Sequence, residues 1–171
     1  FTLDSKDLSS LTDCNYMLAG NPNLQTIKLT NLTTPKTINV SSMFENDSGL
    51  TSVDFSGTNF KPNSTTLTFR NCSSLTSLNL SSWDTSQCIN MGNMFANCDG
   101  LTELDISNFT TESLVDCSNL FYDCLNLDVI DMSNFNYETN MNFKNMFHWA
   151  SKCSVLGLIY CDAKTINKMV E

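Results

Sequence analysis

The chain repeats itself. Five segments, "LQTIKLTNL" from Leu24, "LTSVDFSG" from Leu50, "LTSLNLSSW" from Leu75, "LTELDISNF" from Leu101 and "LDVIDMSNF" from Leu127, begin 26, 25, 26 and 26 residues apart. A sixth, "LGLIYCD" from Leu156, follows after 29 residues and predicts an insertion of about three residues ahead of it. A unit of this length cannot bury its own apolar face, so its stability has to come from stacking on its neighbours. That requirement selects a solenoid over any fold built around one central core.

Each copy opens with apolar residues at offsets 0, 3 and 5, as in Leu75, Leu78 and Leu80 or Leu101, Leu104 and Ile106. The last two alternate with Asn79 and Asp105, the signature of a short strand with one buried face. In the second half the spacing changes to steps of three and four, as in Cys88, Met91, Met94, Phe95 and Cys98. That spacing predicts a helical return of one or two turns, kept short by Asn, Ser and Gly, which form helices poorly. Equal offsets then stack along the axis, with Met94 and Phe95 over Leu120 and Phe121 and under Thr68 and Phe69. The copy from Leu50 is one residue short and carries Pro62, which predicts an irregular return there.

At 171 residues and 41% hydrophobic content the chain makes a single solenoid domain over 1–171, of about six coils. It opens at "FTLDS", in the middle of a copy, and is read as a fragment of a longer secreted chain. A net charge of −9 excludes nucleic acid as a partner, because phosphate binding draws on clustered Lys and Arg. No apolar run approaches the roughly 18–20 residues that cross a bilayer, so direct membrane insertion is not expected. His148 is the only histidine and has no nucleophile and acid patterned around it, and phosphate-binding Gly loops are absent. No enzyme activity and no cofactor is expected.

Cysteine recurs at one place in the copy, at Cys72, Cys98 and Cys124, with Cys153 joining them across the expected insertion. With no CxxC and one histidine, zinc is disfavoured. Disulfides between coils are permitted by distance, since stacked strands bring equivalent Cα atoms to about 4.8 Å. In-register side chains leave a sheet nearly parallel, however, which suits the dihedral poorly. Cys14 and Cys117 share their offset with Met91, and exchange of Cys with Met marks a packing position. The favoured reading is a column of small apolar side chains.

The segment "LTSLNLSSWDTSQCINMGNMFANCDG" resembles the BspA-type, bacterial-surface subclass of leucine-rich repeats, in which "MF", a small residue or Cys, and "L..L.LS.F.T" recur at about 26 residues. The resemblance holds over three consecutive copies from Leu75 to about Phe147. It implies an α/β repeat solenoid, a right-handed leucine-rich-repeat coil with a parallel β-sheet on one face and short helical, 3-10 or irregular returns on the other. It also implies an extracellular, cell-surface adhesion module that binds protein or glycan ligands on a host or neighbouring cell without chemistry. A structural or receptor-recognising part of a larger assembly, such as a bacteriophage virion or surface fibre, is the alternative.

The candidate ligand-binding residues lie on the polar strand face and at two breaks in the period. Asp54, Asn79, Asp105 and Asp131 share one exposed offset and Glu103 the exposed offset before it. Asp105 and Asp131 are expected one coil apart, where Ca2+ or a basic partner could relieve their repulsion. The breaks are "NFKPNS", with Phe60 and Lys61, and "FHWASKC", with His148 and Trp149.

Overall fold

The computed structural model describes residues 1–136, 141–150 and 152–156, the last three of these as backbone. It is a parallel-strand β-solenoid. One wall is built from β1 (Thr2–Asp4), β2 (Thr26–Thr30), β4 (Ser52–Asp54) and β6 (Ser77–Leu78) in that order, then from β7 (Glu103–Asp105), β8 (Val129–Asp131) and β9 (Ser154–Leu156). A second ladder holds β3 (Ile38–Asn39) and β5 (Pro62–Ser64) and continues as single bridges through Asn90, Asp116 and Asn142. Each offset pairs with its equivalent: Ile27 with Val53, Val53 with Leu78, and Leu104 with Ile130. The strand wall is not one continuous sheet, because β6 and β7 belong to separate ladders. Asn108 braces that seam, its Nδ2 donating to the carbonyls of Leu80 and Trp83 at 3.1 and 2.9 Å.

The helical returns are not there: the described residues contain strands, bridges and turns but no helix. Every return carries two residues in the left-handed region four positions apart, Tyr16 and Gly20, Ser42 and Asn46, Leu67 and Asn71, Asn93 and Asn97, Asn119 and Asp123, Asn145 and Trp149, with φ between 53° and 74°. A residue at positive φ ends a right-handed helix, and Asn and Asp tolerate that region best. Backbone amides therefore divide their bonds. Met94 and Cys98 donate within their own turns to Met91 and Phe95, while Met91, Asn93, Phe95 and Asn97 donate to the carbonyls of Asp116, Ser118, Leu120 and Tyr122 in the next coil. The same four-bond pattern joins each return to the next, always from the earlier coil to the later one. Successive tight turns bring a side chain inward every three or four residues, which is why the apolar spacing imitates a helix.

Inside the returns five rings stack as a column. Phe44, Phe69, Phe95, Phe121 and Phe147 stand 5.1, 5.8, 5.5 and 5.4 Å apart, with planes within 13° of parallel. Beside them runs the cysteine column, and burial bears out the packing reading. Cys72, Cys98 and Cys124 are free and buried, and each Sγ donates to a phenylalanine carbonyl one coil earlier, Phe44, Phe69 and Phe95, at 3.0–3.1 Å. Burial pushes the thiols of Cys72 and Cys124 up to about 12 and holds Cys98 well above the ordinary thiol range. At pH 8 these three are expected to alkylate at least about a thousandfold more slowly in the native protein than after denaturation, as followed peptide by peptide in the mass spectrometer. Labelling at comparable rates in the two states would rule out a sealed column.

Two register expectations are corrected. Before the sixth copy there is no insertion: β9 pairs Val129 with Ser154 and Asp131 with Leu156, so Leu156 sits at the fifth residue of its copy, not the first. Phe147 stacks on Phe121, Ala150 takes the place of Cys124, and Cys153 takes that of Leu127, its amide bonding to Ala150 as Leu127 does to Cys124. Cys153 is thus not in the cysteine column. The return after Pro62 is regular, too: Thr65, Leu67, Phe69 and Asn71 donate to the carbonyls of Asn90, Gly92, Met94 and Ala96 as in the other coils, and the register shift between β3 and β5 falls ahead of it. The remainder of the sixth copy, Cys161 and the expected polar cap "AKTINKMVE" lie outside the described residues.

Candidate functional site

The exposed side of the strand wall carries Thr26, Lys28, Ser77, Asn79, Glu103, Asp105 and Val129, with Ser52, Asp54 and Asp131 half-buried. Parallel pairing sets Lys28 beside Asp54 and Asp105 beside Asp131, as the repeat spacing implied. The carboxyls have a local task. In Asp54, Asn79, Asp105 and Asp131 alike, one Oδ1 accepts the backbone N–H two residues on, that of Ser56, Ser81, Ser107 or Ser133, at 2.9–3.0 Å. These are Asx turns, which end each strand and turn the chain into the next wall. Hydrogen bonds from Ser56 and Ser107 hold the Asp54 and Asp105 carboxyls below the usual carboxylate range. Asn79 makes the same turn without charge, so turning the chain does not require a negative side chain.

Two hollows lie on this wall. One of about 400 Å³ is lined by Ser52, Asp54, Ser56, Ser77, Asn79 and Ser81. The other, about 370 Å³, spans the seam between β6 and β7 and is lined by Ser77, Glu103, Asp105, Val129 and Asp131. All five wall candidates border one hollow or the other. Both are rich in hydroxyl, amide and carboxyl groups, the equipment for hydrogen bonding rather than for bond breaking. No group of three or more His, Cys, Asp and Glu side chains placed to hold a metal occurs among the described residues.

The pairs at the two period breaks fare differently. Phe60 is buried, packed edge-on against Phe55 and Trp83 at ring distances of 5.7 Å, so it is a core residue and offers no contact surface. Lys61 beside it reaches Asp84 at 3.5 Å. His148 and Trp149 stand on the return side, far along the coil from the strand wall candidates in sequence register, and Trp149 is 58% exposed. His148 stacks on Tyr122 at 5.3 Å, and Trp149 touches both rings.

The family model described as "Mycoplasma protein of unknown function, DUF285" matches residues 2–63 and then 63–156. The chain belongs to this family. No curated protein matches it. A crystal structure of a leucine-rich repeat protein from Bacteroides ovatus ATCC 8483 aligns with 98% of this DUF285 chain at 20% identity and a TM-score of 0.48. The alignment covers 40% of that protein's length. The two DUF285 matches meet at Asn63, inside β5, where the register shifts.

Sequence reasoning overlooked Tyr122 and Asp123 in this DUF285 chain. The signal was available, because Tyr122 precedes His148, and Asp123 precedes Trp149, by one 26-residue period. Assigning His148 and Trp149 to an insertion removed them from register and hid both partners.

Proposed function

We propose that this protein is a non-catalytic binding module of the BspA-type leucine-rich-repeat kind, displayed outside the cell, whose strand wall adheres to a protein or glycan of a host or neighbouring cell. One observation carries the reading: five separately placed polar side chains, Asp54, Asn79, Glu103, Asp105 and Asp131, line two adjoining hollows on the strand wall. Their backbones are locked by strand pairing and Asx turns, so a ligand is met with little ordering cost. The wall's polar chemistry and the chain's net charge of −9 favour hydroxyl-rich or basic ligands. Ca2+ bridging Asp105 and Asp131 is a further route to such contacts.

The test is binding of the purified chain to extracellular-matrix proteins, mucins and glycans, with calcium and with chelator. The double variant Asp105→Asn with Asp131→Asn is the control, because Asn keeps the Asx turn, as Asn79 does, and removes only the charge. Saturable binding that weakens at least tenfold in this variant is expected, about 1.4 kcal/mol or more. Binding that survives the change intact would take function off the acidic part of the wall.

A further inference from the structure

We propose that Tyr122, His148 and Trp149 form a ledge that binds the pyranose ring of a neutral glycan. The site stands apart from the strand wall and does not rest on the reading of that wall. It begins with an anomaly in one column of the return. Asn46, Asn71, Asn97, Asp123 and Trp149 occupy equivalent rungs, all at φ between 59° and 66°. Asn and Asp suit this left-handed conformation, whereas a bulky side chain there carries a steric cost. Tryptophan at the last rung is therefore expensive locally, yet the residue is 58% exposed and is not buried in exchange.

The ring is held firmly. His148 lies 4.8 Å away and Tyr122 5.5 Å, at tilts of 41° and 44°, and those two rings are themselves stacked within 8° of parallel. Tyr122 and His148 cover each other's faces, so the open ring face is that of Trp149, tilted by 44° and 41° to the pair that supports it across two coils. Nδ1 of His148 is buried without a partner, so this imidazole serves as support under the ledge and not as its polar edge.

The polar edge comes from the neighbouring rungs. Asn97 Nδ2 donates to Asn71 Oδ1, and Asn71 Nδ2 to Asn46 Oδ1, both at 2.6 Å. The amide chain thus spends its donors toward the earlier coils. Asn97 Oδ1 and the Asp123 carboxylate accept no hydrogen bond among the described residues. An exposed indole face beside unused acceptors calls for a ligand with a flat C–H face and several donors. A pyranose has both. Asp123 and the net charge of −9 disfavour acidic sugars.

The full chain can be titrated with neutral mono- and oligosaccharides, including N-acetylated ones, while its tryptophan emission is recorded. Trp83 is buried, so a change in emission reports Trp149. At least one neutral sugar is expected to saturate the signal, with isothermal calorimetry agreeing. Trp149→Asn restores the residue type of three other rungs, so this variant should melt no lower than the parent and lose calorimetric binding at least tenfold. Asp123→Gly, which also accepts positive φ, should lose binding with the ledge intact. Asp105→Asn with Asp131→Asn should leave the sugar titration of Trp149 emission unchanged, which separates this site from any glycan bound by the strand wall. The proposal is overturned if no neutral sugar saturates, if Trp149→Asn binds undiminished, or if tetramethylammonium displaces the sugar and binds more tightly.

Discussion

Phe95→Ala is expected to cost about 3–5 kcal/mol of unfolding free energy, measured by urea denaturation. Phe95 is fully buried and is stacked on both faces, by Phe69 at 5.8 Å and Phe121 at 5.5 Å. The lost ring leaves a void that two neighbouring coils share, and their backbones cannot close it, because the hydrogen bonds from Phe95 to Leu120 and from Phe69 to Met94 fix the spacing. In a solenoid, stability is close to a sum over neighbouring coils, so a defect in the middle weakens two junctions at once. Phe147→Ala is the internal comparison. Among the described residues that ring has one aromatic neighbour in the column, Phe121, and it should cost clearly less. Equal losses at the two positions would mean that the column does not act as a stack of pairwise junctions.

The second large effect concerns Asp47, which occupies the rung of the cysteine column one coil before Cys72. Its side chain is buried; Oδ1 accepts the amide of Asn21 at 2.6 Å, and Oδ2 has no partner. Burial pushes this carboxyl up to about 6 from the ordinary 3.8. A raised acid pKa means that the folded state prefers the protonated form. The stabilisation is complete below about 3.8 and is lost as the pH climbs through about 6, amounting to at most about 3 kcal/mol by neutral pH. Asp54 and Asp105 work in the opposite sense. Their lowered values stabilise the fold above 3.8 and lose that contribution as the pH falls through their folded values below it. Stability should therefore peak in mildly acidic solution and decline toward pH 7. Asp47→Cys, which puts the column's own residue at this rung, should raise the neutral-pH melting temperature and flatten the decline between pH 4 and 7. A pH profile with the same slope in parent and variant would clear Asp47 of responsibility.

The repeat was legible because its signal is periodic: Leu24, Leu50, Leu75, Leu101 and Leu127 set the stack, and β2, β4, β6, β7 and β8 fall where those offsets put them. The returns were misread for a physical reason. A run of tight turns and a helix both return a side chain to one face every three or four residues, so the apolar spacing alone does not separate them. Asparagine does: Asn93 with Asn97 and Asn119 with Asp123 recur four apart, which a helix would not favour and a left-handed turn does. The sixth copy slipped because Leu156 imitates an opening leucine, whereas Cys153 is the residue in that place. On the wall, exposure of Asp54, Asn79, Asp105 and Asp131 followed from alternation, but their Asx turns did not, since the role is set by the serine two residues on. Phe60 was mistaken for a loop contact because Pro62 suggested an irregular segment, whereas its ring packs against Phe55 and Trp83 in the core.

The one-way hydrogen bonds of the returns give the molecule an electrical axis. At each junction four N–H groups point from the earlier coil to the later one, as those of Asn119, Phe121 and Asp123 point to the carbonyls of Lys144, Met146 and His148. Peptide dipoles of about 3.5 D aligned in this way add rather than cancel, unlike those of the strand wall. The positive pole lies toward the C-terminal coils, the reverse of an α-helix. Two such solenoids lying side by side would attract when they run antiparallel and repel when they run parallel, before any side chain meets its partner.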